Sequence, residues 1–341
     1  MSWLENGPLG LGTFYVAAKA STRAIVEKAA AELGVGFQAA ATAPAGQAAR
    51  LRAPRIALFD TYGSNNMPSG WTRLVLENFE FPYDRVFPPD IDRGGLRAKY
   101  DVIVFNGAGL QVGGGGRGGG RGAAPAGEAP AAAGDAPGAP GGRGVTPPAT
   151  PEEFARRQGQ VSARTLEQVA AFVKEGGTLV AIGAAAMGAV QQFGLPAANH
   201  LVENGTGLPR EKYYVPGAVL RVAVDETHPL AHGLDKQLDV FFDNDPVFKL
   251  APDAAAKGVR RIAWFADGKP LRSGWAWGQN YLADGTGIIE ARVEKGSVFA
   301  IAPEILFRSQ PHGAYKLFFN GLYLSVAPEL LRGETGQPVT R

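Results

Sequence analysis

Apolar residues fall along this chain in two patterns, and the alternation between them predicts the architecture. Short, nearly continuous apolar runs end in turn-forming residues: RIALFDTYG at residues 55–63, then residues 83–87, 101–106, 177–182 and 297–302. Runs of this kind suit strands buried on both faces of a parallel sheet. Between them the period changes to that of a helix. Trp71, Val75 and Phe79 stand at i+4 steps with Leu74 beside them, and Leu166, Val169, Ala170 and Val173 form one stripe. Tyr315, Phe318, Phe319, Leu322 and Val326 form another. Ser69 and Ser162 are the expected N-caps of the first two helices, and Gly176 with Gly177 ends the second. Pro88 and Pro89 read as a break. The second half adds AVLRVAV, DVFFDND, residues 259–265 and residues 287–293, the last joined to the next strand through Glu294, Lys295 and Gly296. The expected fold is therefore a three-layer α/β domain of flavodoxin-like topology, its mainly parallel sheet extended by antiparallel strands.

Organisation follows from where these patterns stop. Residues 1–49 form an N-terminal connecting segment, whose helix carries Ile25, Val26, Ala29, Ala30 and Leu33 on one face and is closed by Gly34. An apolar face of that size cannot bury itself, so it is expected to dock on the main domain or on something upstream. Residues 50–107 and 161–328 form the two halves of the main domain, and 329–341 a tail. Residues 108–160 are Gly-, Pro- and Ala-rich, without the apolar periodicity that would offset the entropy of ordering them, and are expected to be a disordered insertion. Glycine spacings there imitate a dinucleotide fingerprint, but no strand-turn-helix pattern surrounds them.

Composition narrows the chemistry. The 341 residues contain no cysteine, which removes thiol nucleophiles, disulfides and cysteine-held metals. With 34 Lys and Arg against 32 Asp and Glu, a net charge of +2 gives no overall field favouring nucleic acid or an anionic membrane. No apolar run approaches the length of a membrane span, and the first residues carry no recognisable signal peptide.

The stretch GTLVAIGAAAMG, residues 177–188, reads as a buried strand, a tight small-residue turn and a helix. In many α/β enzymes such an elbow carries the nucleophile, yet Gly183, Ala184, Ala185 and Ala186 have no group able to attack or to move a proton. The segment VFAIAPEILFR, residues 298–308, ends a strand in Ala302, Pro303 and Glu304. Ligands of open α/β sheets bind beyond the carboxyl ends of the strands. The candidate binding residues gathered there are Asp60, Thr61, Tyr62, Ser64, Asn65, Asn66 and Trp71 of the first loop, Asn106 and Gly107, Gly183 and Ala184, and Glu304, Arg308 and His312. Turn formation and capping are an equally simple account of Asp60, Ser64 and Asn65.

Three further constellations have simpler structural readings. His200 and Glu203 have the His-x-x-Glu spacing of a zinc site, with His312 as a conceivable third ligand, but no metal is expected. Asp239, Asp243, Asn244 and Asp245 offer oxygens to calcium without EF-hand spacing, and a strand-ending turn explains them more simply. Trp275 and Trp277, two apart, would share one face and stack a sugar or peptide ring, though core packing is the simpler expectation.

The elbow and the Ala-Pro-Glu strand end resemble the active-site framework of class I glutamine amidotransferases. In that family a His-Pro-Glu holds the residues that activate an elbow cysteine, and here only the orienting carboxylate, Glu304, stands at its position. A wider resemblance is carried by RIALFDTYGSNNMPSGWTRLVLENFEFPYD, LRAKYDVIVFNG, NHLVENGTGLPREKYYVPGAVLRV, THPLAHGL, DVFFDNDPVF, LRSGWAWGQNYL and PEILFRSQPHGAYKLFFNGLY. Across residues 54–107 and 162–326, with 12–41 resembling a connecting segment, the chain looks like the C-terminal amidotransferase-like domain of long bacterial zinc-carboxypeptidase-like proteins. The peptidase domain of that family is not in this chain. The resemblance implies a non-catalytic accessory domain that binds a small molecule, a peptide or a carboxypeptidase domain, needs no cofactor and has exported relatives. The alternatives are an enzyme, either of the metallocarboxypeptidase family or a fragment of one, or a hydrolase using Asp60 or Glu304 with bound water, and a scaffold for a separate peptidase domain.

Overall fold

A computed structural model describes residues 1–46, 48–62, 66–107, 110–112, 151–155 and 157–331. Most of the expected insertion, together with Ser64, Asn65 and most of the tail, therefore lies outside the described residues.

The parallel part of the sheet is built from β1 (Ile56–Phe59), β2 (Tyr83–Val86), β3 (Val102–Asn106) and β4 (Thr178–Ile182). The second half supplies β5 (Pro216–Val224), β6 (Gln237–Asp243), β7 (Val259–Trp264), β8 (Thr286–Val293) and β9 (Gly296–Ile301). Across the sheet the order is β6-β5-β7-β8-β9-β4-β3-β1-β2. From β9 to β2 every pairing is parallel, and from β9 outward to β6 every pairing is antiparallel. The five parallel strands thus run 2-1-3-4-5 in chain order, the flavodoxin-like arrangement. The expected fold class is the one observed.

Helices cover both faces. Alternate strand residues explain how: Leu58, Val104, Val180 and Phe299 point into one cluster with α1 (Met67–Asn78) and α4 (Tyr315–Leu324), while Phe59, Phe105, Leu179 and Ala300 point into the other. That second cluster contains α2 (Ala163–Lys174) and α3 (Ala184–Gln192). The same two-residue period places a strand's successive side chains in opposite layers.

Ser162 caps α2 as expected, its Oγ accepting the Thr165 N–H at 3.1 Å. Ser69 does not cap α1. The helix starts earlier, with Asn66 at the N-cap and Pro68 in the first turn, and Ser69 is buried inside it. Proline has no N–H to lose there and its fixed φ suits helix entry, so it extends the helix toward the N-terminus. By the same physics Pro88 begins the short helix Pro88–Asp92 rather than only ending β2.

The N-terminal segment docks through its strands and not through its helix. Strand Ser2–Leu4 pairs antiparallel with Phe14–Tyr15 and Ala48–Arg50, and buries Trp3 against Phe14 and His232, each 5.8 Å away between ring centroids. Helix Thr22–Leu33 buries no residue: Ile25 is 63% and Leu33 72% exposed. Of the apolar stripe expected to dock on the main domain or on something upstream, Ile25 and Leu33 face solvent and Val26, Ala29 and Ala30 are half-buried. The chain just beyond the segment is also tied to the sheet by charge, because the fully buried Asp101 accepts from Arg52 at 2.6 and 2.8 Å and from Arg55 at 2.9 and 3.1 Å. Burial alone would push this carboxyl up, but the hydrogen bonds from Arg52 and Arg55 outweigh it and hold Asp101 well below the usual carboxylate range.

The THPLAHGL loop is a polar staple within the core. His228 accepts the Leu230 N–H at Nδ1, which leaves Nε2 to donate to Glu290 at 2.8 Å, and both side chains are fully buried. Asn320 of α4 closes the loop by donating to the Leu230 and His232 carbonyls. These histidines are thereby committed to packing.

Candidate functional site

Strand β4 passes into α3 through Gly183, whose φ of 64° and ψ of −132° belong to a region that side chains avoid. Its N–H donates to the Ile301 carbonyl at 2.9 Å, which locks the turn to the neighbouring strand β9. A Cβ built at Gly183 would stand 3.8 Å from Glu304 Cγ. The elbow predicted from sequence therefore forms, and its sharpest residue faces the carboxylate expected beside it. Ala184 opens α3 at the surface, while Ala302 is fully buried at the end of β9.

Glu304 is only 6% exposed and stands in an acidic group with Asp243 and Asp245. Asp245 is buried too, and accepts the Asp243 N–H at 3.1 Å. Burial, then the charge of Asp243, pushes Glu304 up to about 7. Burial, then the charge of Glu304, pushes Asp245 well above the ordinary range. Two carboxyls that cannot both ionise cheaply hold a proton at neutral pH. Tyr213 completes the group: burial and the charge of Asp245 push its phenol up, and its hydroxyl has no hydrogen-bond partner among the described residues.

An aromatic lane borders these carboxyls. Phe307, three residues after Glu304, stacks on Phe241 at 3.6 Å and meets Trp71 edge-on at 4.8 Å. The Arg308 guanidinium lies 4.9 Å from the Phe307 ring. Arg308 and Ser309 both have left-handed backbones, φ 47° and 53°, a conformation that non-glycine residues adopt at a cost and that clusters at functional sites.

The remaining sequence candidates separate. Asp60 accepts the Thr61 N–H and lies 3.7 Å from Arg85, and Tyr62 stacks on Phe154 at 5.7 Å, so this loop turns toward the outer edge of the sheet. Asn106 donates to the Pro68 carbonyl and to Thr72 Oγ1, and a Cβ at Gly107 would come within 2.6 Å of Pro68, so both anchor α1. Asn66 serves as the N-cap residue of that helix. His312 hydrogen-bonds the Ser309 carbonyl at 3.1 Å and packs on Tyr315. The compact part of the predicted site is thus Gly183, Ala184 and Glu304, bordered by Trp71 and Arg308.

Sequence reasoning did not link Asp245 or Tyr213 to Glu304. Asp245 stood out only as one oxygen of a local acidic patch, and Tyr213 carried no signal, because contacts between residues so far apart leave no spacing to read. Of that patch, Asp239 is paired with Arg221 and Arg272, and Asn244 accepts the Val215 N–H. His200 meets the Ala283 carbonyl and Glu203 pairs with Lys212. Among the described residues no group of His, Asp and Glu is arranged to hold a metal. Trp275 and Trp277 depart from the core-packing expectation, each being 53% exposed, with near-parallel rings 6.5 Å apart. A period of two states which face they share, not whether that face is covered.

No protein-family model and no curated protein sequence matches the chain. Among solved structures it is similar to a candidate GMP synthase component from Thermoplasma acidophilum, at 10% identity and a TM-score of 0.44, covering 82% of this chain and 98% of that one. It is also similar to β-galactosidase from Bacillus circulans sp. alkalophilus, at 11% identity and TM-score 0.43, over 82% of this chain and 31% of that enzyme. A candidate ThuA-like protein from Bacteroides uniformis gives 12% identity and TM-score 0.39 over 86% and 96% of the two chains. Likeness this remote assigns neither family nor activity.

Proposed function

We propose that the chain is a class I glutamine amidotransferase-like module without amidotransferase chemistry, binding a small molecule, a peptide or a partner protein at the Glu304 end of its sheet. The observation that carries this reading is Gly183 at the elbow, facing a buried Glu304 beside Ala302. The backbone geometry suited to presenting a nucleophile is kept where no side chain exists to be presented. A water molecule oriented by Glu304 would lack both an activating imidazole and a covalent partner. The link to a zinc-carboxypeptidase-like protein rests on the sequence strings alone, and it names a carboxypeptidase domain as the partner to test by co-purification.

One observation favours a second reading. A carboxyl raised to about 7 can take and give a proton near neutrality, which suits a hydrolase with Glu304 as general base. A panel of peptide and ester substrates, with and without chelator, separates the two. The proposal expects no turnover above buffer. Turnover abolished by Glu304→Ala would establish the hydrolase.

A further inference from the structure

Away from the elbow, the outer edge of the sheet holds a cavity of about 440 Å³, within the range of about 300–1,000 Å³ typical of ligand pockets. It is formed by the edge strand β2, the short helices Pro88–Asp92 and Leu96–Lys99 that follow it, and Arg157. Strands β1 and β3 lie between β2 and β4, so roughly 14 Å of sheet separates this edge from the elbow strand. None of the cavity's lining residues belongs to the Glu304 group.

Its charge is unevenly matched. Arg85, Arg93, Lys99 and Arg157 line it. The carboxylates near them are already engaged: Asp90 accepts from Arg93 at 2.5 Å and from the Phe87 N–H, Asp60 faces Arg85 at 3.7 Å, and Asp84 accepts the Tyr100 hydroxyl at 3.1 Å. Lys99 and Arg157 have no ion-pair partner among the described residues. Arg157 instead rests on ring faces, 5.8 Å from Phe87 and 5.0 Å from Phe154, while Arg85 lies 5.3 Å from Phe87. Ring faces beside a guanidinium attract it without neutralising it, which leaves its N–H groups available to an anion. Planar donors of this kind beside a lysine point charge are the chemistry that recognises phosphate oxygens. Val86 and Leu96 supply an apolar wall, and the volume exceeds what an inorganic ion needs.

We propose that this edge cavity binds a small phosphate-bearing organic molecule, of the size of a sugar phosphate or a mononucleotide, held by Lys99 and Arg157. The site is independent of the elbow reading and stands whether or not the elbow is inactive.

Isothermal titration calorimetry on the full chain at low ionic strength tests it, with ribose 5-phosphate and AMP as probes and ribose, adenosine, inorganic phosphate and succinate as controls. The proposal expects saturable binding of at least one phosphorylated probe, weaker or absent binding of every control, and at least a tenfold loss in a Lys99→Gln, Arg157→Gln variant. A single Lys99→Gln variant, with circular dichroism and melting checked on each protein, provides the same readout if the double variant folds poorly. No binding of either phosphorylated probe overturns the proposal. So does equal binding of inorganic phosphate or succinate, or undiminished affinity in folded variants.

Discussion

The raised carboxyl of Glu304 makes stability depend on pH in a direction opposite to ordinary acid denaturation. Moving a carboxyl from its usual 4.5 to about 7 corresponds to about 3 kcal/mol between the two protonation states. Between those values the native state binds a proton that the unfolded chain has released. Stability from this group is therefore fully present below pH 4.5 and is lost as pH rises through about 7, by up to about 1.4 kcal/mol per pH unit. Asp245, raised by the same burial, works in the same direction. His232 works in the other: burial lowers its pKa, so its contribution is lost as pH falls below the usual histidine range. The informative quantity is thus the difference between wild type and Glu304→Gln, in which His232 cancels. Urea unfolding followed by circular dichroism at intervals from pH 4.5 to 8 measures it. Glu304→Gln should gain on the wild type by about 3 kcal/mol across this window, less whatever the amide loses in local contacts. Asp245 should also titrate closer to its usual value once its charged neighbour is gone. A difference that stays constant with pH, or one that shrinks as pH rises, would refute the burial of a protonated Glu304.

Gly183→Ala should destabilise the fold by about 1–3 kcal/mol in urea melts, through backbone strain and not collision, since the new Cβ would meet Glu304 Cγ at an ordinary 3.8 Å. Tyr213→Phe removes a buried hydroxyl without a partner among the described residues, so thermal melting should stay level or rise by the equivalent of up to about 1 kcal/mol. Asp101→Asn should cost about 3 kcal/mol by urea titration, because Arg52, Arg55 and Arg97 all converge on that carboxylate. The same substitution should remove a stability term that the wild type loses only under strongly acidic conditions, far below the window in which Glu304 titrates.

Much of the fold was legible because its strands are buried on both faces and so read as unbroken apolar runs. IALF, VIVF and TLVAI became β1, β3 and β4, and the helical periods between them forced a parallel, doubly covered sheet. The helix Thr22–Leu33 shows the limit of that logic: periodicity reports an amphipathic face but not whether it is covered, and this helix buries none of its residues. Trp275 and Trp277 fail in the same way. Of the site, the elbow glycine and Glu304 were readable because turn chemistry and strand ends are local. The contacts of Asp245 with Glu304 and with Tyr213 were not, since they join distant parts of the chain across the antiparallel extension. Arg308 was singled out as a candidate, but its left-handed backbone has no sequence signature outside glycine and asparagine.

Ammonia release from glutamine tests the proposal that the elbow keeps the shape of an amidotransferase site without its chemistry. Purified protein incubated with glutamine at neutral pH should release ammonia at the buffer rate, with wild type and Glu304→Ala indistinguishable. Release above that rate by the wild type, abolished by Glu304→Ala, would show that the site retains glutaminase chemistry and overturn the proposed function.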